Sequence, residues 1–128
     1  MNLIKANIKS ITTKQNLNLV EVVFDGETIF MLSLELPSNL KKNDHITLGI
    51  KPMNIAISKD FHVDTSFLNQ IKISVISIEI GEILTVVQGV INGIIIESVI
   101  TTKAFYRIGI DVGDSLIMLL PASELFIV

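Results

Sequence analysis

The sequence predicts an all-β protein made of two small five-stranded barrels in tandem, and three observations predict it. Apolar residues make up 49% of the 128 residues and aromatics only 5%, so Ile, Val and Leu must supply the core. β-Branched side chains suit a pleated surface and lose rotamer freedom in a helix, which favours strands. The second observation is an internal repeat. At an offset of 67, residues 2–26 fall on 69–93 and nine of the twenty-five pairs are identical, among them Asn2, Ile4, Lys5 and Ser10 on Asn69, Ile71, Lys72 and Ser77. After a three-residue difference the offset becomes 70, and Asp44, Ile46, Leu48, Ile55 and Ile57 fall on Asp114, Leu116, Met118, Leu125 and Ile127. The third observation is Asp25-Gly26 and Asn92-Gly93 at equivalent places. These dipeptides mark two-residue hairpins, because a type I′ turn needs positive φ at both central residues.

Each unit then reads in the same order. A first strand (2–11; 69–80) alternates apolar and polar residues, with Ile71, Ile73 and Val75 on one face before Ile76, Ile78 and Ile80 continue on the other. Such a phase slip predicts a β-bulge or sharp bend, as a small barrel requires. A second strand (17–24; 83–91) leads through the turn dipeptide to a third (27–34; 94–101). A short link follows, with room for one helical turn at Leu36–Leu40 or Lys103–Ile108. Asn43-Asp44 and Gly113-Asp114 turn into a fourth strand, and a fifth (53–58; 123–127) closes each unit. Five strands in about 60 residues make a partly open barrel of the oligonucleotide/oligosaccharide-binding type. The units are residues 1–58 and 66–128, joined by a linker at 59–65.

Several classes of function are disfavoured. The net charge of −3 gives no basic surplus for phosphate neutralisation, so a nucleic-acid partner is not expected. Membrane insertion is not expected either: a spanning helix needs about 20 consecutive apolar residues, and Gln88, Gly89, Asn92, Gly93 and Glu97 interrupt the greasiest stretch. Without an export signal or any cysteine, the chain is expected in the cytoplasm. His45 and His62 lie in a turn and a linker without metal-ligand spacing, and Glu79 and Glu82 flank Gly81 in a hairpin loop. No catalytic triad, phosphate loop or metalloprotease motif is present, so the chain reads as a non-enzyme with no metal held directly by protein ligands. The mean hydropathy of +0.61 is high for a soluble monomer and predicts a homo-oligomer.

Three segments carry a family resemblance. Asp64-Thr65-Ser66-Phe67-Leu68-Asn69 resembles the S-x-x-N opening of the molybdate-binding Mop (TOBE) domains. Ile100-Thr101-Thr102-Lys103-Ala104, followed by Ile108–Asp114, resembles their central V-T-x-x-S segment and L-x-L-x-x-G-D tail. Leu48–Ser58 and Leu120–Leu125 resemble the closing K-A-S segment; the former is similar to the version fused to transporter ATPases, which implies a link to molybdate or tungstate transport. The resemblance covers both units, and the nearest arrangement is the tandem di-Mop molbindin.

The resemblance implies cytoplasmic binding of molybdate or tungstate, without an organic cofactor, for storage, homeostasis or sensing. It also implies a homotrimer with the anion at subunit interfaces. Carried onto this chain, the oxyanion set is Asn2, Lys51, Ser66, Asn69, Thr101, Thr102, Lys103, Ala122 and Ser123. A tetrahedral dianion must be met by converging N–H and O–H donors, helped by a cation, because burying it unpaired is prohibitive. The chain also departs from the pattern. Leu68 and Met1 stand where many relatives carry arginine, Ala104 replaces the central serine, and Pro121 replaces the closing lysine of the second unit. Two alternatives stay open at this point: a structural or regulatory oligomer that no longer binds the ion, and, more weakly, an oligonucleotide-binding barrel.

Overall fold

Along Asn2–Ile8 buried and exposed residues alternate strictly, which puts Ile4, Ala6 and Ile8 into the core and Leu3, Lys5 and Asn7 outside. The same alternation runs through Asn69–Val75. The computed structural model describes residues 1–128 as ten strands and one α-helix: β1 (Asn2–Lys14), β2 (Leu17–Phe24), β3 (Glu27–Ser33), β4 (His45–Ile50), β5 (Ala56–Ser58), β6 (Asn69–Ile80), β7 (Leu84–Ile91), β8 (Ile94–Thr101), α1 (Thr102–Ile108), β9 (Ser115–Leu120) and β10 (Phe126–Ile127). Register shifts between Ile8 and Ser10, and between Val75 and Ser77, mark the bulges that the phase slip predicts. Lys9 and Ile76 are the extra residues. Each bulge bends its strand so that the first half pairs with β4 or β9 and the second half with β2 or β7.

The turns follow their residues. Asp25 and Gly26 have φ of 45° and 81°, and Asn92 and Gly93 have 49° and 80°, the type I′ pattern. A further reversal at Gln15-Asn16, with φ of 51° and 65°, carries β1 on to Lys14, three residues past the strand read from the sequence. Only the second unit holds a helix. Thr101 caps α1 by accepting the Ala104 N–H at 3.1 Å, and Gly109 ends it in the left-handed region at φ 74°. The corresponding link in the first unit is three residues shorter and holds a turn, with Leu40 N–H donating to Pro37 O, instead of a helix.

The fifth strands depart from the expected closure. The sheets run β10-β4-β1-β2-β3 and β5-β9-β6-β7-β8, so each unit is closed by the other unit's fifth strand. A short 3-10 turn (Pro52–Asn54; Ala122–Glu124) precedes each of these strands. Side-chain size agrees with the exchange. A Cβ on Gly49 would lie 2.8 Å from the Phe126 ring, whereas the equivalent pair in the other sheet is Leu119 opposite Ala56. The bulk has changed sides. The core shows a second such trade: a Cβ on Gly89 would come within 2.5 Å of Ile73, while the first unit has Val22 and Ala6 at those positions.

Two asparagines fasten the halves. Asn2 Nδ2 donates to Glu97 O at 2.9 Å and its Oδ1 accepts the Glu97 N–H at 2.8 Å. Asn69 does the same to Phe30, at 2.8 and 2.7 Å, and its second Nδ2 hydrogen reaches Leu120 O at 3.0 Å. Phe30 and Glu97 are equivalent under the repeat, so the two clasps are related by a pseudo-two-fold axis. Equivalent residues also touch each other, Asn92 Nδ2 donating to Asp25 O at 3.2 Å and Asn54 Nδ2 to Glu124 Oε2 at 3.4 Å. The two sheets therefore share one core, which runs unbroken from Ile4 and Leu48 to Ile71 and Met118.

The Gly89–Ile73 trade yields a double-mutant cycle. Gly89→Val alone overfills the second unit and is expected to cost about 1–3 kcal/mol. Ile73→Ala alone leaves a cavity and is expected to cost about 2–5 kcal/mol. Together they reinstate the first unit's pair, so urea unfolding of the double variant should show a loss smaller than the sum by about 0.5–3 kcal/mol. Strict additivity would show that the two side chains do not share one space.

Candidate functional site

The register of the sheets determines what meets at each end of the pseudo-dyad. Asn2 pairs with Ile50, which sets Met1 beside Lys51, and Asn69 pairs with Leu120, which sets Leu68 beside Pro121. The asparagine clasps then bring β8 alongside the first of these junctions and β3 alongside the second. Three segments therefore converge at each end: an opening segment, a closing turn, and the end of the third strand of the other unit.

At the first end the closing turn of Pro52–Asn54 packs against β8. The cleft between them, about 330 Å³, is lined by Met53, Asn54, Ile55, Ala56, Leu84, Val99, Ile100 and Thr101. Ser98, buried, donates to Ile55 O at 2.7 Å and holds the turn in place. Pro52 fixes the first residue of the turn and keeps Lys51 extended, at φ −72° and ψ 138°. Lys51 is exposed and makes no ion pair; the one salt bridge in the molecule joins Lys9 to Glu21. Lys103 is exposed two residues beyond Thr101. At the second end a cleft of about 470 Å³ is lined by Leu17, Leu32, Ser33, Leu34, Glu35, Ser123, Leu125 and Phe126.

The nine residues carried over by the resemblance are thus divided. Asn2, Lys51, Thr101, Thr102 and Lys103 belong to the first end, and Ser66, Asn69, Ala122 and Ser123 to the second. Three of them are committed elsewhere. Asn69 uses both Nδ2 hydrogens on backbone carbonyls, and Asn2 is buried in its clasp. Thr102 is buried and its only hydroxyl proton goes to Gly81 O at 2.8 Å, so Thr85 must be the donor in their 2.9 Å contact. Thr101 differs: its oxygen accepts the Ala104 N–H, which leaves its proton free to donate. Ser66, Lys103 and Ser123 are exposed, Ser123 in the 3-10 turn before β10 and Ser66 three residues before β6. The residue that sequence reasoning missed is Asn54, whose amide lines the first cleft. Its position becomes meaningful only once the strand exchange sets it against Thr101. No three His, Asp or Glu residues are grouped to hold a metal ion, and no helix is long and apolar enough to cross a membrane.

No protein-family model matches the sequence, and neither does any curated protein. Solved structures do. One of them is the cytoplasmic molybdate-binding protein ModG, in a crystal form grown from PEG with molybdate bound, which superposes with a TM-score of 0.91. The two chains share one fold. The match covers 98% of this chain and 94% of ModG at 20% sequence identity. ModG thus reproduces the tandem arrangement as a whole, both units included, and not one barrel alone.

The asparagine clasp is separable from ligand binding. Asn69→Ala would strand the Phe30 N–H and the Phe30 and Leu120 carbonyls in a partly buried place, at about 1–3 kcal/mol for such groups. The urea midpoint of the ligand-free protein should fall accordingly. An unchanged midpoint would release Asn69 from this structural role.

Proposed function

We propose that this protein binds molybdate or tungstate in the cytoplasm, at the end that carries Lys51 and Thr101, for storage, homeostasis or sensing. The observation that carries the reading is the full-length likeness to ModG, a protein seen with molybdate bound. The local chemistry supports it. Lys51 is an uncompensated cation, Thr101 has a free proton, Asn54 brings an amide and Lys103 a second charge. No acidic residue lines this cleft, and the one carboxylate that reaches a lining side chain, Glu124, takes one Asn54 Nδ2 hydrogen at 3.4 Å and leaves the other. Charge-assisted hydrogen bonds of this kind are the ones that repay desolvation of an anion.

One chain offers too few donors to enclose a tetrahedral dianion. The rim of the first cleft is also apolar and uncovered: Ile83 is 77% exposed, Met53 66% and Leu84 38%. Exposed apolar residues beside an incomplete polar site fit a contact between copies of the chain, and we take the assembly to be a homotrimer that completes the anion cage at its interfaces. Supply from a molybdate or tungstate transport system belongs to the same reading. A second reading, an oligomeric module that no longer binds the ion, draws support from the commitment of Asn69 and Thr102 to internal hydrogen bonds.

Calorimetric titration separates the two readings. Molybdate or tungstate should give binding heat and a thermal shift while sulfate, the smaller tetrahedron, gives neither; silence with both metal oxyanions at millimolar concentration leaves the structural module. Lys51→Ala should weaken binding about ten- to hundredfold, the loss of a charge-assisted bond of about 1.5–3 kcal/mol. Lys41→Ala, at an exposed turn outside both clefts, should not. Light scattering should return a multiple of the 14.1 kDa chain mass. A single-chain mass would exclude the shared cage.

A further inference from the structure

We infer that the two pseudo-equivalent ends are no longer equivalent in function: the anion binds only at the Lys51 end, and the Pro121 end has lost the chemistry to hold it. The inference rests on the proposed oxyanion function and adds which part of the molecule performs it.

The structure allows a position-by-position comparison, because strand exchange and the clasps build both ends from the same three segments. In the closing turn, Lys51 at the first end is Pro121 at the second, so the cation is gone. Where β8 ends in Thr101, with its free hydroxyl proton, β3 runs into Leu34, which is 74% exposed and has no donor in its side chain. Where Thr102 and Lys103 follow Thr101, the first unit has Glu35, which lines the second cleft, and Leu36, so a charge is lost and one of opposite sign appears beside it. Ala56, small and lining the first cleft, is matched by Phe126 in the second.

The charges therefore differ in sign. The segments at the second end (30–35, 66–69 and 121–124) contain no lysine or arginine and include Glu35 and Glu124. Those at the first end (1–2, 51–54 and 97–103) hold Lys51 and Lys103; their one acid, Glu97, has its carboxylate bonded to Gln88 of β7 at 2.7 Å. Glu124 points across the dyad to Asn54 and does not discriminate between the ends, but Glu35 does. A dianion entering the second cleft would meet a like charge, no cation and a wall of Leu17, Leu32, Leu34 and Phe126. Like charges at close quarters oppose binding, and nothing there compensates for desolvation.

Titration of the intact oligomer with molybdate tests this, using wild type, Lys51→Ala and Ser33→Asp, with the oligomer verified by light scattering. Ser33 lines the second cleft and not the first; its hydroxyl donates to Glu35 O at 2.6 Å and accepts the Glu35 N–H at 3.3 Å. An aspartate can keep the bond from the Glu35 N–H, gives up the donated one at this exposed site, and adds a second carboxylate there. The wild type should show a single class of sites. Lys51→Ala should displace the whole isotherm by at least about tenfold, and Ser33→Asp should overlay the wild type. A two-class isotherm of which Lys51→Ala removes one class would overturn the inference. So would loss of sites in Ser33→Asp, or an isotherm indifferent to Lys51. Absence of any molybdate binding in the wild type defeats the proposed function itself, a result distinct from all of these.

Discussion

The backbone N–H and C=O of Phe30 and of Glu97 are each met by an asparagine side chain from the opposite half of the chain. Both residues lie in strands bordering a sheet, where main-chain groups would otherwise face outward unpaired. An asparagine amide carries a donor and an acceptor at the spacing of a peptide unit, so it pairs with the strand as another strand would. The remaining Nδ2 hydrogen of Asn69 ties the same side chain to Leu120 at the end of β9. One residue type at one position of a repeat thus sets the distance between halves, and the placement of the exchanged fifth strands follows from it. No buried side-chain polar atom in the molecule is left without a partner.

The same arrangement explains why clefts built from both units lie at the ends of the pseudo-dyad. In an isolated barrel, the closing turn would lie over its own third strand. Exchange moves it onto the third strand of the other unit, so every end is composite. Composite ends let the two copies diverge, since a change in one unit alters one cleft without altering its counterpart. Asn54 and Thr101 come from different units yet line one cleft, and Leu34 and Ser123 line the other. The core has diverged by trades that conserve volume, Val22 with Ala6 against Gly89 with Ile73, so the backbone symmetry survives while the side chains drift.

Much of this was legible in the residues. The repeat, the Asp-Gly and Asn-Gly hairpins and the bulge at Ile76 are local signals, and local signals report local geometry. The helix over 102–108 falls on one of the two links in which the sequence leaves room for a helical turn, and Thr101 and Gly109 cap it. Gln15-Asn16 was not, because glutamine is seldom found at positive φ and carries no turn signature. The exchange of fifth strands was not legible either. Strands of two and three residues carry no register of their own, and the two halves offer nearly the same hydrophobic phase to either partner. The one trace is the pairing of Gly49 with Phe126, which reads as a size match only when the strands are already known to be neighbours. For the site, the resemblance along the chain gave one set drawn from both units, whereas space divides that set between two ends and adds Asn54 to the lining of the first.

The exchange also has a consequence for how the chain comes to be folded during synthesis. Strands β1 to β4 leave the ribosome long before residues 126–127, yet β4 is not covered along its outer edge until β10 arrives. An emerging first half is a sheet with an open edge, of the kind that invites pairing with other nascent chains. The contacts that close it join residues nearly eighty positions apart, and long-range pairing of that sort is slow to form. The N-terminal half therefore cannot bury the outer edge of β4 until the last residues of the chain have been made.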